Sequence, residues 1–322
     1  MCTAITYKSN NFYFGRTLDY EFSYGEEIVI MPRDFSIHFT SPVNTSEQFA
    51  VIGTAHIEDG YPLFYDAANE KGLAMAGLNF VGNAHFNKHT SGACNVSQFE
   101  FIPWILCQCE SVSQAKLLIS NINITDTPFS EKLPASPLHW ILADKNQCIT
   151  IESLSSGLKI YENPVGVLTN NPSFEQQLFR LNDFMSLSCK NPKNTFSEKL
   201  NLCAYSRGMG ALGLPGDWSS QSRFIKASFV SANSLTDISN DDISQFFHIL
   251  SSVEQPYGCC HVENGYEYTI YTSCYNTDKG IYYFTTYNNR QISAVCMHNE
   301  NLNASSLISF KMGHSEQIKY MN

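Results

Sequence analysis

The second residue of the chain is a cysteine, within the opening segment Met1-Cys2-Thr3-Ala4. Removal of the first residue would leave a thiol and a free α-amine on Cys2. A thiol needs a base to become a good nucleophile, and an α-amine with an ordinary pKa of about 7.7–8.0 can supply one at neutral pH. Because the second residue of a chain is often small for reasons of translation and methionine removal, Cys2 alone does not establish catalysis.

Arg16 and Asp19 are charged residues that a hairpin could bring back to the start of the chain. Residues 3–7 and 12–16 are β-rich and flank a polar run at 8–11, which predicts a β-hairpin. In that arrangement an aspartate could hold the α-amine by a charge-assisted hydrogen bond, and an arginine would favour the thiolate. A surface ion pair between two residues so close in sequence is the alternative.

Further along the chain, strands and helices occur in separate groups. The apolar spacing predicts strands at 28–31 and 49–53, followed by helices around 101–107 and 111–122. Strands at 138–143, 148–152 and 158–161 come next, and then helices after 173, around 224–229 and over 243–250. The last predicted group is a strand meander at 266–274, 281–287 and 291–297. Strand groups separated by helices indicate antiparallel sheets layered with helices. We therefore predict an α+β fold in a single domain over residues 1–322.

Two of the predicted helices start with the Ser-x-x-Gln pattern of a capping box. Ser111 with Gln114 would open one helix, and Ser173 with Gln176 would open another. The second helix would turn its apolar side chains inward, namely Phe174, Leu178, Leu181 and Met185.

The overall composition excludes several classes of protein. The chain has 322 residues, of which 43% are hydrophobic, and a formal net charge of −10. Lys and Arg are scattered, so we expect no nucleic-acid partner. No apolar run reaches the ~20 residues that span a bilayer, and no basic-then-apolar signal segment opens the chain, so we expect no membrane partner and a cytoplasmic location. The 11 cysteines are an odd number in a large chain, which favours reduced thiols over disulfides.

Some motifs that look like binding sites have simpler interpretations. Residues 208–213 match the G-x-G-x-x-G pattern, but Leu-Pro-Gly follows and a polar segment precedes, so we expect a tight loop and no dinucleotide cofactor. The Cys-x-Cys at 107–109 and the Cys-Cys-His at 259–261 lack the Cys-x-x-Cys spacing of zinc sites, so we expect structural thiols and no metal. His139 lies within a predicted strand and is expected to be a hydrogen-bonded core residue rather than a catalytic base.

Several longer motifs occur in order along nearly the whole chain. They are Met1-Cys2-Thr3-Ala4, Phe14-Gly15-Arg16-Thr17-Leu18-Asp19-Tyr20-Glu21, Asn69-Glu70-Lys71-Gly72-Leu73, Ala76-Gly77-Leu78-Asn79-Phe80, Leu168-Thr169-Asn170-Asn171-Pro172, Gly213-Leu214-Pro215-Gly216-Asp217, Gly265-Tyr266-Glu267-Tyr268-Thr269 and Gly280-Ile281-Tyr282-Tyr283. Together they resemble the choloylglycine hydrolase family, and most of all the bile salt hydrolases of gut bacteria.

The resemblance implies a fold and a set of active-site residues. The fold would be the four-layer αββα sandwich of N-terminal-nucleophile hydrolases, with two antiparallel sheets between helical layers. Matched by position, the catalytic residues would be Cys2 as nucleophile, Arg16 beside the thiol, Asp19 at the amine, Asn79 and Asn170 as oxyanion donors, and Arg223 as a further arginine. A pocket for a rigid steroid would be lined by Leu18, Tyr65, Phe129, Leu133 and Leu138, for which plain core packing is the alternative.

The reaction that the resemblance implies is hydrolysis of glycine- and taurine-conjugated bile salts to bile acid and amino acid. It would proceed through a thioester on Cys2, without cofactor or metal, in a homotetramer. Penicillin V acylase is the nearest alternative activity on this fold, but those enzymes tend to carry tyrosine where this chain has Asn79. A catalytically silent bile-acid-binding protein is the other alternative, and the complete set of six residues argues against it.

Overall fold

The computed structural model describes residues 1–43, 47–236, 242–263 and 265–322. The strands in these ranges are β1 (Cys2–Lys8), β2 (Phe12–Tyr20), β3 (Glu27–Met31), β4 (Val51–Glu58), β5 (Tyr61–Asn69), β6 (Ala74–Asn79), β7 (Cys94–Ser97), β8 (Ile122–Thr125), β9 (Leu138–Ala143), β10 (Cys148–Leu154), β11 (Gly157–Glu162), β12 (Val167–Leu168), β13 (Cys260–Val262), β14 (Gly265–Asn276), β15 (Ile281–Thr286), β16 (Ser293–Cys296) and β17 (Ile308–Lys311). The helices are α1 (Phe101–Leu106), α2 (Val112–Ile119), α3 (Phe174–Arg180), α4 (Ser220–Asn233) and α5 (Ile243–Ser251), with short 3-10 helices at Leu181–Phe184, Met209–Ala211 and Met297–Asn299.

Two antiparallel sheets lie face to face at the centre of the molecule. The first has the strand order β12-β1-β2-β14-β15-β16, with β13 paired to β14. The second has the order β11-β10-β9-β6-β5-β4-β3-β17, and β7 and β8 form a separate parallel pair. β1 and β2 of the first sheet contact β6 of the second.

Helices cover the outer faces of both sheets. α4 and α5 pack on β1 of the first sheet, and α1 packs on β5 and β6 of the second. The layers are therefore helix, sheet, sheet and helix, which confirms the predicted α+β class and the αββα arrangement. No helix in the described ranges is long and apolar enough to cross a membrane.

The predicted hairpin at the N-terminus is present and fixes which side chains share a face. In the β1–β2 register Cys2 is opposite Leu18, and Ala4 is opposite Arg16. Paired residues, and residues two apart on one strand, point to the same face of a sheet. Cys2 and Arg16 therefore share one face of the first sheet, and Asp19 points to the other.

The structure corrects the second capping box. The Ser173 side chain makes no capping hydrogen bond at the start of α3. The backbone N–H of Gln176 instead bonds the main-chain oxygen of Ser173 at 3.0 Å. The predicted inward position of Met185 is also wrong, because its side chain is 87% exposed. After α3 the chain tightens into a 3-10 helix, whose three residues per turn rotate later side chains away from the α-helical face.

The first capping box is half formed. Ser111 accepts a hydrogen bond from the backbone N–H of Gln114 at 3.3 Å, as predicted. The side chain of Gln114 reaches the backbone N–H of Glu110 rather than that of Ser111. The predicted short helix around 224–229 is in fact the 14-residue α4.

Candidate active site

Cys2 begins β1 in the core between the sheets and is 4% exposed. With Met1 in place, the nitrogen of Cys2 is a peptide N–H, which donates to Oδ1 of Asn170 at 2.9 Å. The α-ammonium of Met1 forms an ion pair with Oε1 of Glu267 at 2.8 Å and donates to the main-chain oxygen of Asp19. The atom that would become the α-amine after methionine removal is thus already held by a hydrogen bond.

Arg16 is a fully buried cation on the same sheet face as Cys2. Its Nη1 donates to the main-chain oxygens of Tyr65 at 3.1 Å and Gly77 at 2.6 Å, and its Nε donates to that of Thr17 at 3.2 Å. Nη2 is buried and has no hydrogen-bond partner among the described residues. Two N–H hydrogens of the guanidinium are therefore available to an anion in the site.

Negative groups around Arg16 outweigh its burial. Burial lowers the pKa of Arg16, but interaction with Cys2, Tyr271, Asp66 and Asp19 raises it above its ordinary value. The guanidinium is therefore charged at neutral pH. A permanent cation beside a thiol favours the thiolate.

Asp19 is a buried carboxylate held by hydroxyl and amide donors. Thr269 donates to its Oδ1 at 2.6 Å, and Thr17 and Gln255 donate to Oδ2 at 3.2 and 3.3 Å. Nη1 of Arg223 lies 4.0 Å from Oδ2. Burial raises the pKa of Asp19 above its ordinary value, although Arg223, the terminal ammonium and the Thr269 hydroxyl oppose that rise. With Met1 present, the terminal ammonium contacts the main-chain oxygen of Asp19 rather than its carboxylate.

Arg223, on α4, connects the N-terminal strand to Asn170. Its Nη1 donates to the main-chain oxygen of Cys2 and to Oγ1 of Thr3 at 2.6 Å, and its Nη2 donates to Oδ1 of Asn170 at 2.7 Å. Its Nε donates to the main-chain oxygen of Trp218 at 2.9 Å. Burial lowers the pKa of Arg223, and the nearby Asp19 opposes that effect. One guanidinium thus fixes the relative positions of the proposed nucleophile and a proposed oxyanion donor.

Asn170 and Asn79 are in direct contact. The amide oxygen of Asn170 is taken by Cys2 and Arg223, and its Nδ2 donates to the main-chain oxygen of Asn79 at 2.8 Å. An amide nitrogen carries two hydrogens, so one remains for a developing negative charge. Asn79 is half-buried at the end of β6. The six residues matched to the family thus lie close together around the start of β1, with Cys2 and Arg16 on the inner face of the first sheet and Asp19 and Arg223 on its helix-covered side.

Three of the five expected pocket residues adjoin these groups. Leu18 is the cross-strand partner of Cys2, and Leu138 is that of Asn79. The main-chain oxygen of Tyr65 accepts a hydrogen bond from the guanidinium of Arg16, and the side chain of Tyr65 is half-buried. Burial raises the pKa of the Tyr65 hydroxyl, which keeps it neutral.

The other two expected pocket residues lie in a turn after β8. The backbone N–H of Phe129 donates to the main-chain oxygen of Leu133 at 3.1 Å. The Phe129 ring packs edge-on against Phe99, with centroids 5.2 Å apart, and near Tyr61 at 5.5 Å. Both residues are half-buried. The ring of Phe129 contacts this aromatic group, and the role of Phe129 and Leu133 in a pocket stays a prediction.

A cavity of about 300 Å³ lies on the far side of Asp19 from the thiol. Its lining residues are Ser251, Glu254, Gln255, Pro256, Thr269, Tyr271, Thr272, Thr285, Thr286, Tyr287 and Arg290. Two of these, Gln255 and Thr269, are the donors that hold Asp19. The cavity is therefore behind the candidate site rather than its substrate opening.

Sequence reasoning missed the residues of β14 that complete the site. Glu267 binds the terminal ammonium, and Thr269, two residues further on, binds Asp19. Alternation along β14 would have placed both on one face. What the sequence could not supply was the pairing of β14 with β2, which brings together residues about 250 positions apart.

The histidine, glycine and cysteine motifs noted in the sequence have defined positions in the structure. His139 is fully buried, with Nδ1 3.0 Å from Oε1 of Glu152 and Nε2 2.9 Å from the main-chain oxygen of Thr169, which confirms a core role. Residues 208–213 form a loop with a single 3-10 turn. Cys107 and Cys109 are buried, but Cys259 is exposed, so the expectation of structural thiols is wrong at that position. No group of three or more His, Cys, Asp or Glu in the described ranges could hold a metal ion.

The family is shown by comparison with known proteins. Residues 2–310 match the model of the linear amide C–N hydrolases of the choloylglycine hydrolase family. The chain therefore belongs to this family of hydrolases with an N-terminal nucleophile. It is 52% identical to the bile salt hydrolase/transferase of Lactiplantibacillus plantarum, with 100% of both chains covered. It is 36% identical to the bile salt hydrolase/transferase of Clostridium perfringens, again with 100% of both covered.

Solved structures give the same result for the fold. A crystal structure of a variant of the conjugated bile acid hydrolase from Clostridium perfringens superposes with a TM-score of 0.92 and 35% identity, covering 100% of each chain. Penicillin V acylase from Agrobacterium tumefaciens has a TM-score of 0.74 at 19% identity, covering 97% of this chain and 92% of its own. At that identity the second likeness concerns the fold alone.

Proposed function

We propose that this protein hydrolyses the amide bond of glycine- and taurine-conjugated bile salts to bile acid and amino acid. Membership of a family of linear amide hydrolases supports the reaction type, and the names of full-length relatives support the substrate. The observation that carries the proposal is the position of Cys2, with one arginine beside the thiol and another tying its main chain to Asn170.

In the proposed reaction the Cys2 thiolate attacks the carbonyl carbon of the amide. Arg16 favours the thiolate, and its free Nη2 faces no competing partner in the described part of the chain. Asn79 and Asn170 would donate hydrogen bonds to the oxygen on which negative charge develops, and each donor of this kind accounts for about 10²–10³ in rate. The free α-amine of Cys2, which has taken the proton of the thiol, passes it to the nitrogen of the departing amino acid. The amide C–N bond breaks, and the acyl group stays on Cys2 as a thioester. Water then attacks the thioester, and the thiolate leaves to complete the cycle.

Acyl transfer is a second activity of the same site. Its support is the name hydrolase/transferase of the relatives at 52% and 36% identity. In this reaction the amine of a free amino acid replaces water in the attack on the thioester, so a new amide forms and the thiolate leaves as before. Incubation of a conjugated bile salt with a different free amino acid should give both the free bile acid and a new conjugate.

The alternative activities are separated by product analysis. The purified protein is incubated with glycocholate, taurocholate and penicillin V in parallel, and the released amine is measured. We expect release of glycine and taurine to exceed cleavage of penicillin V, because Asn79 stands where penicillin V acylases tend to have tyrosine. Faster cleavage of penicillin V would reverse the assignment. If the processed protein cleaved none of the three compounds, the remaining alternative would be a catalytically silent bile-acid-binding protein.

We also propose a cytoplasmic location, a single domain over residues 1–322, and self-association into a homotetramer. All 11 cysteines, each within the described ranges, are free, which fits a reducing compartment. Support for self-association comes from large apolar side chains exposed between positions 179 and 212. These are Phe179, Met185, Phe196, Leu200, Leu202, Tyr205 and Leu212. Light scattering coupled to size exclusion should give four times the 36.2 kDa chain mass, and a monomer would contradict the assembly.

A further inference from the structure

Asp66 is a buried carboxylate that the proposed reaction does not use. It lies on β5 and is 1% exposed, in the space between the two sheets. Tyr271 donates to its Oδ1 at 2.6 Å, and Ser273 and Tyr282 donate to its Oδ2, the former at 3.0 Å. The donors come from β14 and β15 of the opposite sheet, so the carboxylate joins the two sheets.

Three hydroxyl donors on two oxygens favour the ionised form of this carboxyl. Burial raises the pKa of Asp66 above its ordinary value, although Arg16 and the hydroxyls of Tyr271, Tyr282 and Ser273 oppose that rise. A protonated carboxyl would need one of these hydroxyls to accept instead of donate. A buried carboxylate without a nearby cation is costly, and Arg16 is the cation that compensates it.

Ser273 connects Asp66 to Arg16. The backbone N–H of Arg16 donates to Oγ of Ser273 at 3.2 Å, and the same hydroxyl donates to Asp66. The close approach depends on Gly15, since a Cβ there would lie 2.0 Å from the main-chain oxygen of Ser273. Further contact comes through Tyr65, the residue before Asp66, whose main-chain oxygen accepts from Nη1 of Arg16.

The guanidinium of Arg16 therefore interacts electrostatically with both the thiol of Cys2 and the carboxyl group of Asp66. A carboxylate close to a cation reduces the positive potential that the cation exerts on other nearby groups, here the thiol.

We propose that Asp66 is a positioning residue that acts on Cys2 through Arg16. It holds the backbone of Arg16 in place through Ser273, and its charge moderates the attraction of the guanidinium for the thiolate. This inference rests on the proposed role of Cys2 as the nucleophile. The moderation matters for rate, because a thiolate that is stabilised too strongly becomes a poorer nucleophile as its pKa falls. Asp66 would thus set the balance between the fraction of thiolate and its reactivity.

Other charged and titratable groups lie near Asp66 and Arg16, on several elements of the fold. Besides Arg16 and the terminal amine, they are Asp19 on β2, Tyr65 on β5, Arg223 on α4, Cys260 on β13, Glu267 and Tyr271 on β14, and Tyr282 on β15. Burial raises the pKa of the three tyrosines, so they stay neutral over the working range. The carboxylates of Asp19 and Glu267 are present in the wild type and in the variants below, so they do not contribute to the difference measured.

The test is the pH dependence of Cys2 alkylation in processed wild type and in Asp66→Asn. Iodoacetamide reacts with the thiolate, and mass spectrometry of the N-terminal peptide separates Cys2 from the other cysteines of the chain. We expect the thiol pKa to fall by about one unit in Asp66→Asn, because the variant keeps the shape but removes the negative charge. The alkylation rate at high pH should also fall, since the thiolate is less nucleophilic. This assay uses no bile salt, so its result is independent of the substrate assigned above.

Asp144→Asn is the matched control. Asp144 is also a buried carboxylate, held by the backbone N–H groups of Val112, Asn146 and Gln147, but it lies in the β9–β10 turn. Its variant should leave the thiol pKa unchanged. An unchanged or raised pKa in folded Asp66→Asn, or an equal fall in both variants, would overturn the proposal. If Asp66→Asn does not fold, the same measurement is made on Ser273→Ala. Loss of one hydrogen-bond donor lets Asp66 hold a proton more readily, so we expect a smaller fall in the thiol pKa. An unchanged thiol pKa in Ser273→Ala would overturn the proposal.

Discussion

The residues around Cys2 and the turn that carries Phe129 are held in place in different ways. Around Cys2 the side chains of Arg16, Asp19 and Arg223 are fully buried, and each makes three or more polar contacts to strands or helices. The Phe129 turn is half-buried and rests on ring contacts and short-range backbone bonds.

We expect the buried residues around Cys2 to determine the reaction, and the turn that carries Phe129 to influence which substrate is bound. Buried side chains that are each held by several hydrogen bonds have few alternative geometries, as attack on an amide requires. Apolar contacts at the edge of a turn tolerate changes of side chain, so a turn of this kind can alter which acyl group is bound without altering the reaction. Substitutions in these two regions should therefore change different kinetic constants.

Substitution of Cys2 by alanine should abolish amide cleavage. We expect a loss of at least about 10⁴-fold in the hydrolysis of glycocholate, since no other group can form the thioester. The melting temperature should stay close to that of the wild type. Cys2→Ser should also lose most activity, because a hydroxyl is far less ionised than a thiol. Turnover at the wild-type rate in Cys2→Ala would contradict the mechanism.

Asn170→Ala should lower kcat by about 10²–10³, because it removes an oxyanion donor. The matched control is Asn163→Ala. Asn163 is also buried, and its Nδ2 donates to the main-chain oxygen of Val167 at 2.9 Å, away from the thiol. That variant should lose stability but keep kcat per folded molecule. Equal losses of kcat in the two variants would show that Asn170 acts only through the fold.

Phe129→Ala should raise KM for bile salts by about tenfold while kcat stays within about twofold. Loss of apolar contact weakens binding of the steroid without disturbing the reacting groups. Leu117→Ala is the control, because that side chain is 73% exposed on α2, outside the apolar group proposed for self-association, and should change neither constant. A fall in kcat at unchanged KM would place Phe129 in the core rather than in a pocket.

Asp217→Asn should have the smallest effect and should act on stability alone. Hydrogen bonds from Ser219 and Ser222 lower the pKa of Asp217 to about 2. A depressed pKa adds stability that is present above the unfolded value of about 3.9 and is lost as the pH falls through the folded value. Since the group is exposed, the variant should melt only about one degree lower at pH 7. The difference should vanish near pH 2, and a constant difference at all pH values would contradict this origin.

The parts of the site that the sequence predicted are those carried by short-range pairing. Cys2 and Arg16 are joined by a hairpin whose turn is visible as a polar run, so their proximity follows from local pattern. The roles of Asn79, Asn170 and Arg223 came instead from family resemblance, since nothing local indicates that β6, the end of β12 and α4 converge. Glu267 and Asp66 were missed because their contacts depend on the order of strands in the sheets, which alternation alone does not determine.

The helix after residue 173 is a second case in which the local sequence pattern did not determine the structure. Its apolar spacing correctly predicted a buried Phe174, but Met185 lies beyond the point where the α-helix becomes a 3-10 helix. A change of helix type depends on packing against neighbours rather than on the local pattern. Spacing therefore predicts the start of such an element better than its end.

The central claim is that the free α-amine of Cys2 moves the proton during catalysis. Its most direct test is to prepare the folded chain with Met1 retained, remove Met1 with an aminopeptidase, and follow intact mass and glycocholate hydrolysis in the same samples. Activity should be absent while Met1 occupies its site between Glu267 and Asp19, and should rise in proportion to the processed fraction. Full activity in a chain whose mass shows Met1 still attached would contradict the claim.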